Sequence, residues 1–423
     1  MKIMIQNNYL IFPVYTHATE KQLVFFRRKE PVFSLNIKLD NVSPDFWAYV
    51  DVSLFKNELL EVSVTPEMPI IFKEADEISP DNLYHEHMRP QAHFTAKNGW
   101  MGVPNALIRS EGGYVLIYPH NPAETAEGNA QWGYAVSKDL IHWTQEPAPV
   151  FPECESIFFR GYERLVFDTL SKLRERGEQD KTKDFALTVN GEQKWISVCE
   201  NGGYLVGEQK DGVFVAEQEK KTLRYGGSVR EGVTLADTKD GRVIRMDWDG
   251  CLTSRFCGQM SIPMEISLEK GADGYTLLAS PVKEIQSLYK NTNHYEHIEM
   301  EAGKLLEIPL ADSAHLIHLK GKAEKEGFLH AVLFGREICV NFAENRIRAG
   351  GAECPISVAD GSLDLTILVD RCGMEIFADG GRIYMSCLSE NMFMDRNLLS
   401  LVLRCHRNYC ADLLEIHALE SIW

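Results

Sequence analysis

Few groups in this sequence have the spacing that metal binding or nucleophilic chemistry requires. His85-Glu86-His87 places two imidazoles on one face of a strand, but a metal site needs a third ligand and none is evident. No GxSxG, P-loop or dinucleotide-binding fingerprint is present. The sequence therefore predicts no metal and no cofactor.

Carboxylates are abundant, with 61 Asp and Glu against 44 Lys and Arg, which gives a formal net charge of −17. Glu153, Glu155, Asp168 and Glu231 are interpreted as solvated surface charges. An acidic surface of this size repels nucleic acid and anionic lipid but leaves neutral sugars unaffected. We therefore expect no nucleic-acid or membrane partner.

The elements that position these groups are predicted to be mostly β-strands. Residues 32–39 alternate between apolar and polar side chains, which is typical of a half-buried strand, and residues 8–12 and 46–50 are similar short runs. The acidic, Pro-containing stretch 66–80 is predicted to be a linker.

From about residue 84 to 280, short strands alternate with glycine turns that can supply the positive φ of a tight hairpin. These turns are Gly112-Gly113, Asn190-Gly191, Gly202-Gly203, Asp211-Gly212, Asp240-Gly241 and Asp249-Gly250. Many hairpins at short spacing indicate a propeller, barrel or sandwich.

Two segments break this pattern, and the C-terminal part restores it. Apolar residues at helical spacing predict a helix over Glu163 to Arg176, and a second short helix is expected from Val282 to Tyr289. The dense aliphatic runs 328–342 and 363–377 favour a C-terminal β-sandwich.

The ten cysteines show no CxxC pair and no regular framework, and most lie in apolar, strand-like runs. Buried free thiols in a reducing compartment are favoured over disulfides. No signal peptide is evident, because Gln6, Asn7 and Asn8 interrupt the first apolar run. We expect a cytoplasmic protein.

Four stretches resemble glycoside hydrolase family 32, the β-fructosidases. Residues 89–106 (RPQAHFTAKNGWMGVPNA) resemble the opening signature RPxxHFxxxxGWMNDPNG. Residues 113–122 and 132–143 resemble YHLFYQxNP and WGHAxSxDLxHW. Residues 258–265 (GQMSIPME) resemble GQMSxPRE, and residues 369–380 (VDRCGMEIFADG) resemble VDRSSVEVFxNDG of the family's sandwich.

The resemblance implies an all-β chain in three parts: a small N-terminal β domain (1–80), a five-bladed β-propeller (81–280) and a C-terminal β-sandwich (281–423). The stretch from Trp100 to Gly258 is shorter than in the family, so a trimmed propeller is expected, with the predicted helix replacing blade strands. Family members hydrolyse fructosyl bonds of sucrose, levan or inulin with retention, which needs two carboxylates about 5 Å apart.

The positions that carry this chemistry have changed. Val103 stands where the family has its nucleophilic Asp, and an isopropyl group cannot form a glycosyl-enzyme ester. Gly102 and Pro119 replace an Asn and a Gln that contact the sugar. Leu187, in the best match to FRDP, replaces a second Asp, with Ala186 before it.

The acid/base Glu of the family's ECP motif has no counterpart. Glu153-Cys154-Glu155 contains a Glu-Cys pair, but it precedes the segment at Phe185, whereas the family's motif follows it. The combined losses predict no residual fructosidase activity.

Sugar contacts are still predicted on the retained motifs. The candidates are aromatic or polar and lie near the altered positions: Trp100, Asn105, Tyr118, His120, Trp132 and Tyr134. Packing inside the propeller is the competing interpretation for Trp100, Trp132 and Trp143.

Three hypotheses follow. The first is a catalytically inactive carbohydrate-binding or regulatory protein of this lineage, with a small carbohydrate as ligand. The second is an active glycosidase with relocated carboxylates, which would face each other at about 5 Å or about 6.5–9.5 Å. The third is an assembly protein whose propeller face binds another protein.

Overall fold

The computed structural model describes residues 1–40, 43–78, 84, 86–129, 131–146, 165–166, 169, 184–199, 202–227, 231–236, 238–253, 255–323, 326–358, 360–388 and 398–423. These residues form two compact units. The first comprises Met1–Glu86, Thr95–Lys181 and Gly250–Gln259, and the second comprises His87–Phe94, Thr182–Asp249 and Met260–Trp423. The three-part division expected from the sequence stays a prediction.

The N-terminal part of the first unit consists of two small sheets around one apolar core. Its strands are β1 (Lys2–Met4), β2 (Tyr9–Val14), β3 (Lys21–Arg27), β4 (Glu30–Ile37), β5 (Phe46–Asp51), β6 (Leu59–Thr65) and β7 (Lys73–Ala75). One sheet has the order β1-β6-β3-β4 and the other β5-β2-β7. Phe33, Leu35, Ile37 and Leu39, the alternating set in the sequence, all lie in the core. The strands predicted in this region are therefore confirmed.

The predicted linker at 66–80 is wrong for its described part. Strand β7 lies within it and pairs with β2, with Ile11 opposite Lys73. Met68, Ile70 and Phe72 pack against the N-terminal core, because every second residue of this segment is apolar. Proline and acidic residues masked this alternation in the sequence.

The rest of the first unit is a sheet built around a long central strand. Its strands are β8 (Gly99–Met101), β9 (Ala106–Ser110), β10 (Gly113–Asn121), β11 (Gln131–Ser137), β12 (Trp143–Gln145) and β21 (Phe256–Met260). Strand β10 pairs antiparallel with β8, β9 and β11, and β11 pairs with β12. Strand β21 runs parallel to β8.

The second unit begins with antiparallel hairpins. Its first strands are β13 (Phe185–Val189), β14 (Glu192–Val198), β15 (Gly203–Lys210), β16 (Val213–Ala216), β17 (Lys221–Thr222), β18 (Arg224–Gly226), β19 (Gly232–Leu235), β20 (Val243–Leu252), β22 (Met264–Gly271) and β23 (Gly274–Pro281). Strands β13, β14, β15 and β16 form one meander. Strands β19, β20, β22 and β23 form another.

The glycine turns were predicted with one error. Asn190 (φ 52°) and Gly191 (φ 81°) join β13 to β14 in the expected left-handed conformation. Asp249-Gly250, in contrast, lies inside β20, and Asp249 is buried. Its carboxylate has a fixed partner in the core, which a dipeptide pattern cannot reveal.

Two helices were predicted from the sequence. The helix expected over Glu163 to Arg176 lies outside the described residues except for Leu165, Val166 and Thr169, which are helical. Thr169 Oγ1 donates to the Leu165 carbonyl at 2.8 Å. The second predicted helix is a 3₁₀ segment, Lys283–Leu288.

The C-terminal part of the second unit is a β-sandwich, as predicted. Its strands are β24 (Tyr289–Met300), β25 (Leu305–Pro309), β26 (His315–Ala323), β27 (Phe328–Leu333), β28 (Arg336–Asn341), β29 (Arg346–Ala349), β30 (Ala352–Pro355), β31 (Ser362–Asp370), β32 (Gly373–Ala378), β33 (Ile383–Leu388), β34 (Ser400–Cys405) and β35 (Tyr409–Leu419). The sheets have the orders β18-β33-β32-β31-β26-β35-β24 and β25-β34-β27-β28-β29-β30. Their inner faces share one apolar core that includes Leu329, Ile367 and Leu403.

Among the described residues, no helix has the length and apolar character needed to cross a membrane.

Candidate functional site

Three altered motif positions lie in the first unit: Gly102 and Val103 follow strand β8, and Pro119 lies near the end of β10. Strand β8 ends at Met101, which pairs with His120 on β10, and Trp132 on β11 pairs with Pro119. The Gly102 amide donates to the Pro119 carbonyl at 2.9 Å. This places the segment that carries Val103 beside the end of β10. Val103 is half-buried.

Trp100 occupies the space beside Gly102. A β-carbon added to Gly102 would lie 2.4 Å from Cη2 of the Trp100 indole. The indole therefore fits only because residue 102 has no side chain. Trp100 itself is half-buried.

Tyr118 and His120 follow each other on one face of β10, and both are buried. Tyr118 lies over Gly133, where an added β-carbon would be 2.5 Å from the Tyr118 ring. Burial lowers the pKa of His120 to about 4, against the opposing effect of its hydrogen bond. The imidazole is therefore neutral, and its Nδ1 donates to the Trp100 carbonyl at 2.9 Å.

Trp132 and Tyr134 belong to an apolar cluster. Tyr134 packs with Val115, Ile117 and the helical Val166, and the half-buried Trp132 lies against this group. Both aromatic side chains therefore have the packing role that was the competing interpretation for Trp132. The exposed part of the Trp132 indole remains available for contact with a ligand, whereas Tyr134 is buried.

Several polar atoms around this site have no hydrogen-bond partner among the residues that the structure describes. They are all buried: Asn105 Oδ1, Gln131 Nε2, Trp132 Nε1 and Gln259 Oε1. Asn105 precedes β9, Gln131 and Trp132 begin β11, and Gln259 is on β21. Buried polar groups are nearly always satisfied in folded proteins, so these atoms indicate capacity for a bound polar molecule.

Comparison with known proteins agrees with this architecture. Residues 93–158 match the family described as "Glycosyl hydrolases family 32 N-terminal domain". A levanase from Bacillus subtilis (strain 168) is 32% identical over 106 residues, which cover 25% of this chain and 16% of the levanase. The chain thus spans about one sixth of the length of that relative.

Two solved structures share the fold. The exo-inulinase from Aspergillus awamori has a TM-score of 0.65 at 14% identity, covering 80% of this chain and 100% of that chain. A fructofuranosidase from Schwanniomyces occidentalis complexed with fructose has a TM-score of 0.63 at 14% identity, covering 80% and 99%. Over residues 93–158 the chain is thus similar to the N-terminal domain of glycoside hydrolase family 32. Its fold is accordingly the predicted all-β arrangement of a β-propeller and a β-sandwich.

The remaining family 32 positions lie outside the sheet that carries Val103. Leu187 and Ala186 are half-buried on β13 of the second unit, opposite Lys194 and Trp195. Residues 153–155, Asp168 and His85 lie outside the described part of the chain. Glu231 is exposed.

The second unit contains a buried charged cluster that sequence reasoning missed. The Arg224 guanidinium lies 2.5 Å from Asp249 Oδ1 and 3.4 Å from Asp247 Oδ2. Arg245 pairs with Asp247 at 2.7 Å, and the Ser386 hydroxyl donates to Asp249. Burial raises the pKa of Asp249 to about 6, although Arg224 and Ser386 act in the opposite direction.

His93, from the opening family 32 signature, joins a second buried cluster. Its Nδ1 lies 2.8 Å from Asp370 Oδ2, and its Nε2 lies 3.6 Å from Glu375 Oε1. Tyr384 donates to the same Glu375 oxygen at 2.9 Å. Burial alone would lower the pKa of His93, but its hydrogen bond to Asp370 and the negative charges of Asp370 and Glu375 raise it to about 10. The positively charged His93 imidazole therefore lies between a carboxylate of β31 and a carboxylate of β32.

One sequence signal could have pointed to the first cluster. Asp247 and Asp249 are two residues apart on β20 and so face the same side of the strand. Their partner Arg224 is 25 residues from Asp249, and nothing local relates them. Within the described residues, no group of three or more His, Cys, Asp or Glu side chains is arranged to hold a metal ion.

Proposed function

We propose that this chain is a non-catalytic, carbohydrate-binding member of family 32. The observation that carries the proposal is Val103 at the position of the family's nucleophile. Its side chain has no lone pair, so it cannot attack an anomeric carbon. The Trp100 indole beside Gly102 supports the same conclusion, because it fills space that an Asn side chain at 102 would need.

Binding, as distinct from catalysis, is supported by the unsatisfied polar atoms. The amide groups of Asn105, Gln131 and Gln259 and the indole N–H of Trp132 offer donors and acceptors of the kind that sugar hydroxyls satisfy. The Schwanniomyces fructofuranosidase holds fructose on the same fold. A small neutral carbohydrate is therefore the proposed ligand.

The alternative is an active glycosidase with relocated carboxylates. Asp247 and Asp249 favour it to a limited degree, because they share Arg224 and the pKa of Asp249 is raised to about 6. Both carboxylates are, however, at most 2% exposed. A substrate could not reach the carboxylate oxygens of residues so deeply buried.

Two measurements on the purified protein test the proposal. Binding of fructose and of sucrose should be detected by titration calorimetry. Asn105→Ala and Trp132→Phe should each weaken this binding about tenfold, since each removes one hydrogen-bonding group. The matched control is His142→Gln, at an exposed site, which should bind as the wild type does.

Hydrolysis of sucrose, levan and inulin should be absent. Turnover that persists through purification and disappears in Asp249→Asn would instead establish the alternative. An absence of binding by both sugars would contradict the carbohydrate-binding role.

A further inference from the structure

A cavity of about 270 Å³ opens in the first unit, and its lining does not include Gly102, Val103 or Pro119. On one side it is lined by Trp47 and Tyr49 of β5, and on the other by Lys97, Asn98 and Arg255. Its volume lies just below the roughly 300–1,000 Å³ that small-molecule sites occupy. It is large enough for one or two sugar rings and too small for a folded partner.

The alternation of β5 directs the aromatic side chains into this cavity. Phe46, Ala48 and Val50 point into the N-terminal core, so Trp47 and Tyr49 lie on the opposite face of the sheet and are half-buried. The Lys73 ammonium lies 3.9 Å from the centre of the Trp47 ring. This cation–π contact holds the indole in one orientation.

Polar groups on the cavity wall are fixed by the surrounding backbone. Asn98 Nδ2 donates to the Pro122 carbonyl at 2.9 Å, and the Lys97 amide donates to Gln145 Oε1 at 2.7 Å. The Asp45 carboxylate on the rim accepts from the Thr16 amide at 2.8 Å and from the Thr16 hydroxyl at 2.6 Å. These contacts set the amide and carboxylate in place before any ligand arrives.

The charges of the lining balance. Lys97 and Arg255 contribute two positive charges, and Asp45 and Glu86 contribute two negative charges. A phosphorylated or strongly charged ligand would gain little net attraction here. A neutral, polyhydroxylated ligand matches better, because its C–H faces pack on aromatic rings while its hydroxyls use both donors and acceptors.

We propose that the cavity between Trp47 and Asn98 is a second saccharide site, which binds a neutral mono- or disaccharide unit. The inference rests on the proposed carbohydrate-binding role for its ligand class, but it involves a separate set of residues. The site would anchor a sugar chain to the N-terminal sheets of the first unit, independently of any binding beside Val103.

The test uses the full chain labelled with 5-fluorotryptophan and followed by ¹⁹F NMR. Trp47→Phe, Trp100→Phe and Trp132→Phe assign the resonances of interest. Trp143, whose indole is buried and donates to the Leu140 carbonyl at 2.5 Å, provides the reference resonance. D-Fructose, sucrose and 1-kestose are then titrated at millimolar concentrations.

We expect the Trp47 resonance to shift saturably with at least one of these sugars while the Trp143 resonance stays in place. Tyr49→Ala should weaken this binding about tenfold. Because the Trp47 shift is measured in the wild-type fold, it does not depend on the stability of any cavity variant.

The outcomes separate the two proposals. Shifts confined to Trp100 or Trp132 would overturn the second site and leave the proposed function intact. Shifts of Trp47 alone would support the second site and count against binding at the motif positions. If none of these resonances moves with any of the sugars, both proposals fail.

Discussion

The Trp100 indole lies where a side chain on residue 102 would have to be, with Cη2 only 2.4 Å from the position of a β-carbon on Gly102. Family 32 signatures carry Asn at this position. The two residues therefore depend on each other: Trp100 can adopt its place only while residue 102 is glycine.

Gly102→Asn should destabilise the protein by about 1–3 kcal/mol, because the indole must leave its position or the backbone must shift. The measurement is the free energy of unfolding in urea. Gly271→Asn is the matched control, since a β-carbon there meets nothing closer than 3.9 Å. It should change stability by less than about 1 kcal/mol.

The double variant Trp100→Ala/Gly102→Asn tests the mechanism. If the indole causes the loss, the Asn substitution should be better tolerated without the ring, and the two changes will not add. Equal effects of Gly102→Asn with and without Trp100 would contradict the steric account.

His93→Gln should be strongly destabilising, by about 3–5 kcal/mol at neutral pH, because it removes the imidazolium charge from between the buried Asp370 and Glu375 carboxylates. The exposed pair of His142 with Asp139 supplies the control. His142→Gln should change stability by about 1 kcal/mol or less.

The contribution of His93 to the free energy of unfolding should decrease as the pH rises. The pKa of His93 is raised from 6.5 to about 10 in the folded protein. Its stabilising contribution is therefore complete below about pH 6.5 and is lost as the pH rises through 10. Unfolding measured at pH 6.5, 8 and 9.5 should show the gap between wild type and His93→Gln narrowing with rising pH. A gap that widens would exclude a charged imidazole.

Arg224→Met should also cost about 3–5 kcal/mol at pH 7.5, because it leaves Asp247 and Asp249 buried beside each other without the guanidinium. Without that charge the pKa of the Asp249 carboxyl should rise further. Protonation at pH 5 should then restore part of the stability. Denaturation curves at the two pH values test this.

Adding Asp247→Asn and Asp249→Asn to Arg224→Met provides the control for charge. These amides cannot ionise, so the triple variant should lose the pH dependence that the single variant shows. Persistence of that dependence would assign it to other groups.

Much of the fold could be predicted because its strands and turns depend on residue patterns that repeat over a few positions. The alternation Phe33, Leu35, Ile37, Leu39 places four side chains in one core, and Asn190-Gly191 forms its hairpin, since both features act over a few residues. The all-β architecture followed from such patterns together with the family motifs.

The charged clusters could not be predicted, because their members are brought together by topology. His93 and Asp370 are 277 residues apart, and Arg224 meets Asp249 only through the placement of β18 and β20. Asp249 even suggested a turn, because an Asp-Gly dipeptide is far more often exposed than buried in a strand. The altered position Val103 was visible in the sequence, whereas the indole beside Gly102 was not.

The last prediction concerns restoration of the family nucleophile. Val103→Asp should not produce a fructosidase. A carboxylate that attacks an anomeric carbon still needs a proton delivered to the leaving oxygen, and no acid/base Glu is matched in the sequence. The sugar would also be poorly oriented, because Gly102 and Pro119 offer no side-chain hydrogen bonds, and orientation can account for about 7 kcal/mol or more of a barrier.

The same substitution tests how polar the site is. Val103 is half-buried near the Trp100 indole, so a carboxylate there would be partly desolvated and its pKa raised. We expect Val103→Asp to lower stability by about 1–3 kcal/mol, with Val103→Asn, which has the same shape but no charge, losing less at neutral pH. Melting curves and sucrose hydrolysis are measured for both variants. A melting temperature of Val103→Asp equal to that of the wild type would show that the site is polar enough to hold a carboxylate. Recovered hydrolysis would show in addition that a proton donor lies within reach of it.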